Sequence, residues 1–296
     1  ASGSWQMYGV VFNTTDGDLE LSGLITDTYD ISTASFSQNF SISAQETNPQ
    51  SLAFNNDGTK MFVIGFAEDK VFEYTLSTGF NVSTASYSKS FSVSSQETLP
   101  AGIDFNSDGT KMYIVGVAGQ DVNEYNLSTG FDVSTASYLQ NFSLSSQETS
   151  PRGIKFNTNG TKMFIVGVDG DEVNEYALST GFNISTASYT RNFSVSGQDT
   201  DPEDIAFNTD GTKMYIVGGS GDDVNEYNLT TGFDLSTASY LQNFSVASQE
   251  ATPSGLAFSP DGTKMFIVGG TGDDVNEYTV GTTAIPSGYH AAHTIN

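Results

Sequence analysis

The chain has 296 residues, with 10 Lys and Arg against 35 Asp and Glu, a formal charge of −25. Cysteine is absent and both histidines, His290 and His293, fall close to the C-terminus, which excludes a disulfide framework, a cysteine nucleophile and a zinc–thiolate site. The charge argues against nucleic-acid partners, no apolar run nears the ~20 residues of a membrane span, and 37% hydrophobic residues suffice for a core.

Ala1 opens the chain with no leader segment, so a mature or excised form, or one that never carried a signal peptide, is expected. Met7-Tyr8 then begins an incomplete copy of a repeat, whose Leu21, Ile25, Tyr29 and Ile31 align with Phe72, Leu76, Phe80 and Val82. This copy carries three strand signals and lacks the innermost one. Five fuller copies follow. Their turn glycines stand at 58, 109, 160, 211 and 262, a step of 51. The Ser-Thr-Ala-Ser blocks beginning at Ser32, Ser83, Ser134, Ser185 and Ser236 keep that step, as do Met61, Met112, Met163, Met214 and Met265.

One unit shows what each copy encodes. Gly102 to Phe105 alternates as a strand. Asn106-Ser107-Asp108-Gly109 is a hairpin turn. Lys111 to Gly116 is a second strand and Asp121 to Leu127 a third. A polar connection leads to a fourth, Tyr138 to Leu144, rich in sheet-forming aromatics. No segment sustains a helical period. Four short antiparallel strands repeated every 51 residues describe a propeller blade, which buries both faces against its neighbours.

The last unit has strands at about 255–258, 264–269 and 274–280 and lacks its fourth. The tail Ile285-Pro286-Ser287-Gly288-Tyr289 is similar to Pro253-Ser254-Gly255-Leu256, the start of an inner strand. The expectation is therefore an all-β chain forming a single six-bladed β-propeller. Its blades would be 1–44 plus tail 286–292, 51–95, 102–146, 153–197, 204–248 and 255–280, closed by pairing of N- and C-terminal strands. The rival expectation has each terminus pairing with another subunit, which gives a filament.

Phe258-Ser259-Pro260-Asp261-Gly262-Thr263-Lys264-Met265-Phe266-Ile267-Val268 resembles the inner hairpin of WD40-like and YVTN-type propeller repeats. With the block from Leu127 to Tyr138, the unit is similar to repeats of phage virion and environmental surface proteins. Glu124-Tyr125 stands where WD40 repeats have Trp-Asp, and no Gly-His precedes the inner strand, so the buried tetrad of WD40 blades does not transfer. The resemblance implies a non-enzymatic platform, by analogy of fold.

Four groups of side chains are candidate sites. The acidic loops after the second strands offer Asp121, Asp171, Asp222, Asp223, Asp273 and Asp274 as oxygen ligands for Ca²⁺. The competing reading is a hairpin turn with solvated carboxylates. The Gln-Glu pairs, such as Gln45-Glu46 and Gln96-Glu97, are either a polar platform for glycans or a structural turn. Glu73, Glu124, Glu175, Glu226 and Glu277 lie in third strands and need donors if buried, the turn lysines being candidates. The inner strands differ at Ala53, Asp104, Lys155, Ala206 and Ala257, so the channel is not a uniform ion site, and Asp104 and Lys155 can pair.

Paired carboxylates chosen from so many acids carry no specificity, and a Ser-His-Asp set would have to draw on the tail histidines. Ten Asn-x-Ser/Thr sequons, among them Asn39, Asn81 and Asn141, permit glycosylation. The expected function is a non-enzymatic extracellular structural, adhesive or binding module at a cell surface or on a virion. Its partners would be other subunits or surface glycans, without nucleic acid or membrane insertion, and an oligomer or filament is allowed. The alternative is a secreted Ca²⁺-dependent polysaccharide lyase or glycosidase.

Overall fold

Each repeat becomes one sheet of four antiparallel strands. In the first complete blade these are Pro49–Phe54, Lys60–Gly65, Lys70–Leu76 and Ala85–Ser92, in that order from inside to outside. The computed structural model describes residues 28–281, together with the backbone of short strands at Val11–Asn13, Glu20–Ser22, Leu24–Ile25 and Thr283–Ala284. The next three blades repeat the arrangement from Pro100, Pro151 and Pro202. The second strands are sealed on both faces: Met61, Phe62, Val63 and Ile64 are all 0% exposed.

Among the described residues the expected all-β propeller is what forms, but with five blades and not six. The last sheet takes Pro253–Phe258, Lys264–Gly269 and Asp274–Thr279 from the end of the chain and Ser35–Ser41 from its beginning. Val275 faces Phe40, Glu277 faces Gln38 and Tyr278 faces Phe36 across this join. The fourth strand of the N-terminal copy thus fills the fourth place of the final blade. An open strand edge leaves a row of unpaired backbone groups, and Ser35–Ser41 satisfies the edge of Asp274–Thr279. Having done so, it cannot found a sixth sheet. Tyr29 likewise takes the place that Phe80 holds in the first blade, its N–H donating to the Gly262 carbonyl at 2.9 Å as Phe80 does to Gly58 at 3.0 Å. A two-residue ladder also joins Leu24–Ile25 to Thr283–Ala284. Met7 and the tail 286–292, expected as an inner strand, lie outside the described residues.

Five apolar clusters hold the ring, each shared by two neighbouring blades. One places Phe62 and Ile64 of the first blade on Ile103, Met112 and Tyr125 of the second. Another places Leu52, Met61 and Tyr74 of the first blade on Phe266 and Val268 of the fifth, and so closes the circle. Between each third and fourth strand, Asn or Asp caps a single 3₁₀ turn, as Asp132 does by accepting from Ser134 N–H. The polar connection in the sequence hides this turn because one turn is too short to show a period.

A charged latch repeats at every blade boundary. Lys60, Lys111, Lys162, Lys213 and Lys264 pair with the buried Glu73, Glu124, Glu175, Glu226 and Glu277 at 2.5–3.0 Å. The same lysines donate to a carbonyl of the next blade, as Lys60 does to Phe131 at 2.6 Å. Glu277 in turn accepts from the Val82 N–H at 3.0 Å, across the closing boundary. The third-strand glutamates are therefore structural, with the donors their burial demands.

Candidate functional site

The inner strands share a pattern of Pro, two variable residues, Ile or Leu, a variable residue and Phe. Near the axis they approach closely enough that a Cβ on Gly102 would stand 2.5 Å from the Arg152 carbonyl. At the end carrying the Asp-Gly turns they spread into a cavity of about 340 Å³. Its wall is the closing aromatic of each inner strand: Phe54, Phe105, Phe156, Phe207 and Phe258. A second tier comes from Tyr29, Phe80, Phe131 and Phe182, whose φ angles are 66°, 56°, 56° and 59°. Bulky residues pay about 1–2 kcal/mol for this left-handed backbone. They are held there by the Gly58-type carbonyl behind them and the neighbouring lysine in front.

The floor breaks the fivefold symmetry. Asp104 and Lys155 stand on adjacent blades and pair at 2.8 Å, as their positions in the repeat suggest. The second Asp104 oxygen accepts from the Phe156 N–H at 2.9 Å. The other three blades put Ala53, Ala206 and Ala257 at this level. Lys155 keeps 36% of its side-chain exposure and Asp104 only 9%. Burial works against the Lys155 charge, but the adjacent Asp104 outweighs it and holds the ammonium above its usual pKa.

Further along the axis lie ionisable groups that the sequence reading passed over. Asp204 is buried, and its carboxylate accepts from Ile205 N–H at 2.8 Å, Leu256 N–H at 3.1 Å and Ser51 Oγ at 2.9 Å. It thus ties the fourth blade to the fifth and the first. Burial pushes its pKa up to about 7, against the pull of those hydrogen bonds. Glu203 is raised to about 7 by burial, with Arg152 opposing at 3.6 Å. Arg152 also lies over the Phe66 ring at 5.8 Å. The signal was available: at the step of 51, Ser51, Gly102, Gly153, Asp204 and Gly255 differ just as the Ala53 series does.

The sequence-predicted calcium ligands sit at the opposite end, at the hairpins joining second to third strands. Asp121 accepts from Asn123 at 2.7 Å and Asn141 at 2.5 Å. Asp223 is held by Asn225 and Asn243, and Asp274 by Asn276 and Asn39. Asp171, Asp222 and Asp273 occupy left-handed turn positions with φ of 48–50°. Their carbonyls accept from the N–H groups of Val195, Val246 and Ile42. Among the described residues, no three His, Asp or Glu side chains gather as a metal site would require. The buried glutamates of the Gln-Glu pairs are clasps: Glu46 accepts from Asn48 N–H at 2.8 Å and Ala67 N–H at 3.1 Å, joining two loops of one end. Of the sequons, Asn39 and Asn141 spend their amides on Asp274 and Asp121, and Asn81 caps a 3₁₀ turn.

No protein-family model and no curated protein sequence matches the chain. Solved structures do resemble it. A luciferin-regenerating enzyme is 9% identical with a TM-score of 0.53, over 84% of this chain and 98% of that one. The Cps50 (Swd1) β-propeller domain of Myceliophteria thermophila is 7% identical with a TM-score of 0.46, over 83% and 99%. A functionally unknown protein from Desulfotomaculum acetoxidans is 12% identical with a TM-score of 0.45, over 75% of this chain and 62% of that chain, somewhat under two thirds of its length. At 9% identity, the likeness to the luciferin-regenerating enzyme bears on the fold alone and leaves function open.

Proposed function

We propose that this chain is a non-enzymatic, exposed binding propeller that receives a small ligand in its axial pocket. One observation carries the reading. The latch, clasp and turn bonds engage polar side chains repeated from blade to blade, whereas Lys155, which breaks the symmetry, opens onto an aromatic cavity of about 340 Å³. That size falls at the lower end of small-molecule sites. Among the described residues Asp104 is the one acid lining the cavity and both its oxygens are engaged, which speaks against a pair of carboxylates at work there. The resemblance of the repeat to those of surface and virion proteins supports exposure.

The test is a mixed fragment library followed by ligand-observed NMR on the wild type and on Ala257→Phe, which fills the cavity floor. Binding that disappears in the filled variant supports the reading. Turnover of a polysaccharide that is abolished by EDTA would replace it with the enzymatic alternative.

A further inference from the structure

Resting on the reading of the axial cavity as a binding site, the chemistry of its walls specifies the occupant. We infer that the cavity takes one neutral sugar ring, its hydrocarbon face against phenylalanine and its hydroxyl oxygens accepting from Lys155 Nζ. The floor is one-sided. Asp104 and Lys155 make its polar flank, while Ala53, Ala206 and Ala257, on three contiguous blades, leave room for a flat body. The ammonium has three donors and Asp104 Oδ1 takes one at 2.8 Å. Asp104 Oδ2 is held by Phe156 N–H, so the floor has donors to spare and seeks acceptors.

Charge narrows the class. The Lys155 ammonium is offset by Asp104, and the turns around the mouth carry Asp57, Asp108, Asp210 and Asp261 on a chain of net charge −25. An anion is repelled on approach and gains little at a compensated pair. A cation is drawn to the rim but meets the ammonium at the floor. An uncharged aliphatic body would leave the spare Lys155 donors unmatched by the ligand. A hydroxylated ring satisfies both surfaces, since its C–H face suits aromatic walls and its oxygens accept hydrogen bonds. The volume is enough to hold one ring with a small aglycone.

The experiment titrates the whole chain with methyl glucoside, methyl galactoside, methyl mannoside and N-acetylglucosamine, beside glucuronate, glucosamine and cyclohexanol, by calorimetry and saturation-transfer NMR. One of the neutral sugars should bind about tenfold tighter than glucuronate and glucosamine, and Lys155→Met should weaken it by about tenfold, equivalent to 1.4 kcal/mol. Lys155→Arg should recover part of that loss, and the paired change Asp104→Asn with Lys155→Met keeps the test open if the single variant misfolds. Ala257→Phe should abolish binding. Cyclohexanol or glucuronate binding in place of neutral sugars would overturn the ligand class but keep the site. Silence from every probe and from the fragment library would overturn both.

Discussion

Asp204→Asn should change the sign of its effect with pH. In the unfolded chain this carboxyl ionises near 3.8, and in the fold burial raises it to about 7. As pH rises, the unfolded state therefore releases its proton first. The group's contribution to stability is full below about pH 3.8 and is lost progressively up to about pH 7. A shift of about three units at 1.36 kcal/mol per unit amounts to roughly 4 kcal/mol. Asparagine has no such titration, but its amide nitrogen must oppose one N–H that an oxygen now accepts from, at a cost of about 1 kcal/mol. The variant should be about 1 kcal/mol less stable than the wild type at pH 4 and about 2–3 kcal/mol more stable at pH 8. Urea denaturation of both proteins at unit steps from pH 4 to 8 measures the difference directly. Two stability curves that stay parallel would refute the claim that Asp204 is held protonated by its burial.

Removing a latch cation should be costly, because Lys264→Met strands the buried Glu277 and frees the Phe80 carbonyl; a loss of about 3–5 kcal/mol by calorimetry is expected, and under 1 kcal/mol would make the latch dispensable. Gly109→Ala forces a Cβ to 2.2 Å from the Phe131 ring at a φ of 70°, so it should lose about 1–2 kcal/mol from the backbone alone, and an unchanged melting temperature would contradict the turn geometry. Phe40→Ala removes the ring that meets Tyr74 edge-on at 5.8 Å across the closing boundary; it should destabilise the monomer by about 2–3 kcal/mol, and no loss would mean that Ser35–Ser41 does not close the ring. Millimolar Ca²⁺ should leave the melting temperature unchanged, since Asp121, Asp223 and Asp274 are already bonded to asparagine amides, whereas a rise would place the ion in those hairpins.

The candidate site was legible only in part. The pairing of Asp104 with Lys155 follows from two unlike residues at one repeat position on neighbouring blades. The aromatic wall did not follow. Phe80 and Phe131 sit in a connection that reads as polar, and only the left-handed backbone beside a glycine turns their rings toward the axis. Asp204 reaches a residue 153 positions away, Ser51, and no local pattern encodes a bond across the centre of a ring. The acidic hairpins are the opposite case. Their carboxylates stand out in the sequence, while the asparagines that occupy them, Asn123 and Asn141 for Asp121, are scattered through two strands.

Periodicity and alternation are local, so the repeat alone determined the strands, the turns and the antiparallel order within a blade. In the second complete unit it placed strands at Lys111–Gly116 and Asp121–Leu127, where the structure has them. The number of blades is not local. A tandem repeat can begin at any point of its unit, and the N-terminal copy carried a fourth strand that could serve a new blade or the last one. Only the meeting of the two ends decided it, because the open edge of Asp274–Thr279 had one set of backbone hydrogen bonds to give and Ser35–Ser41 took them.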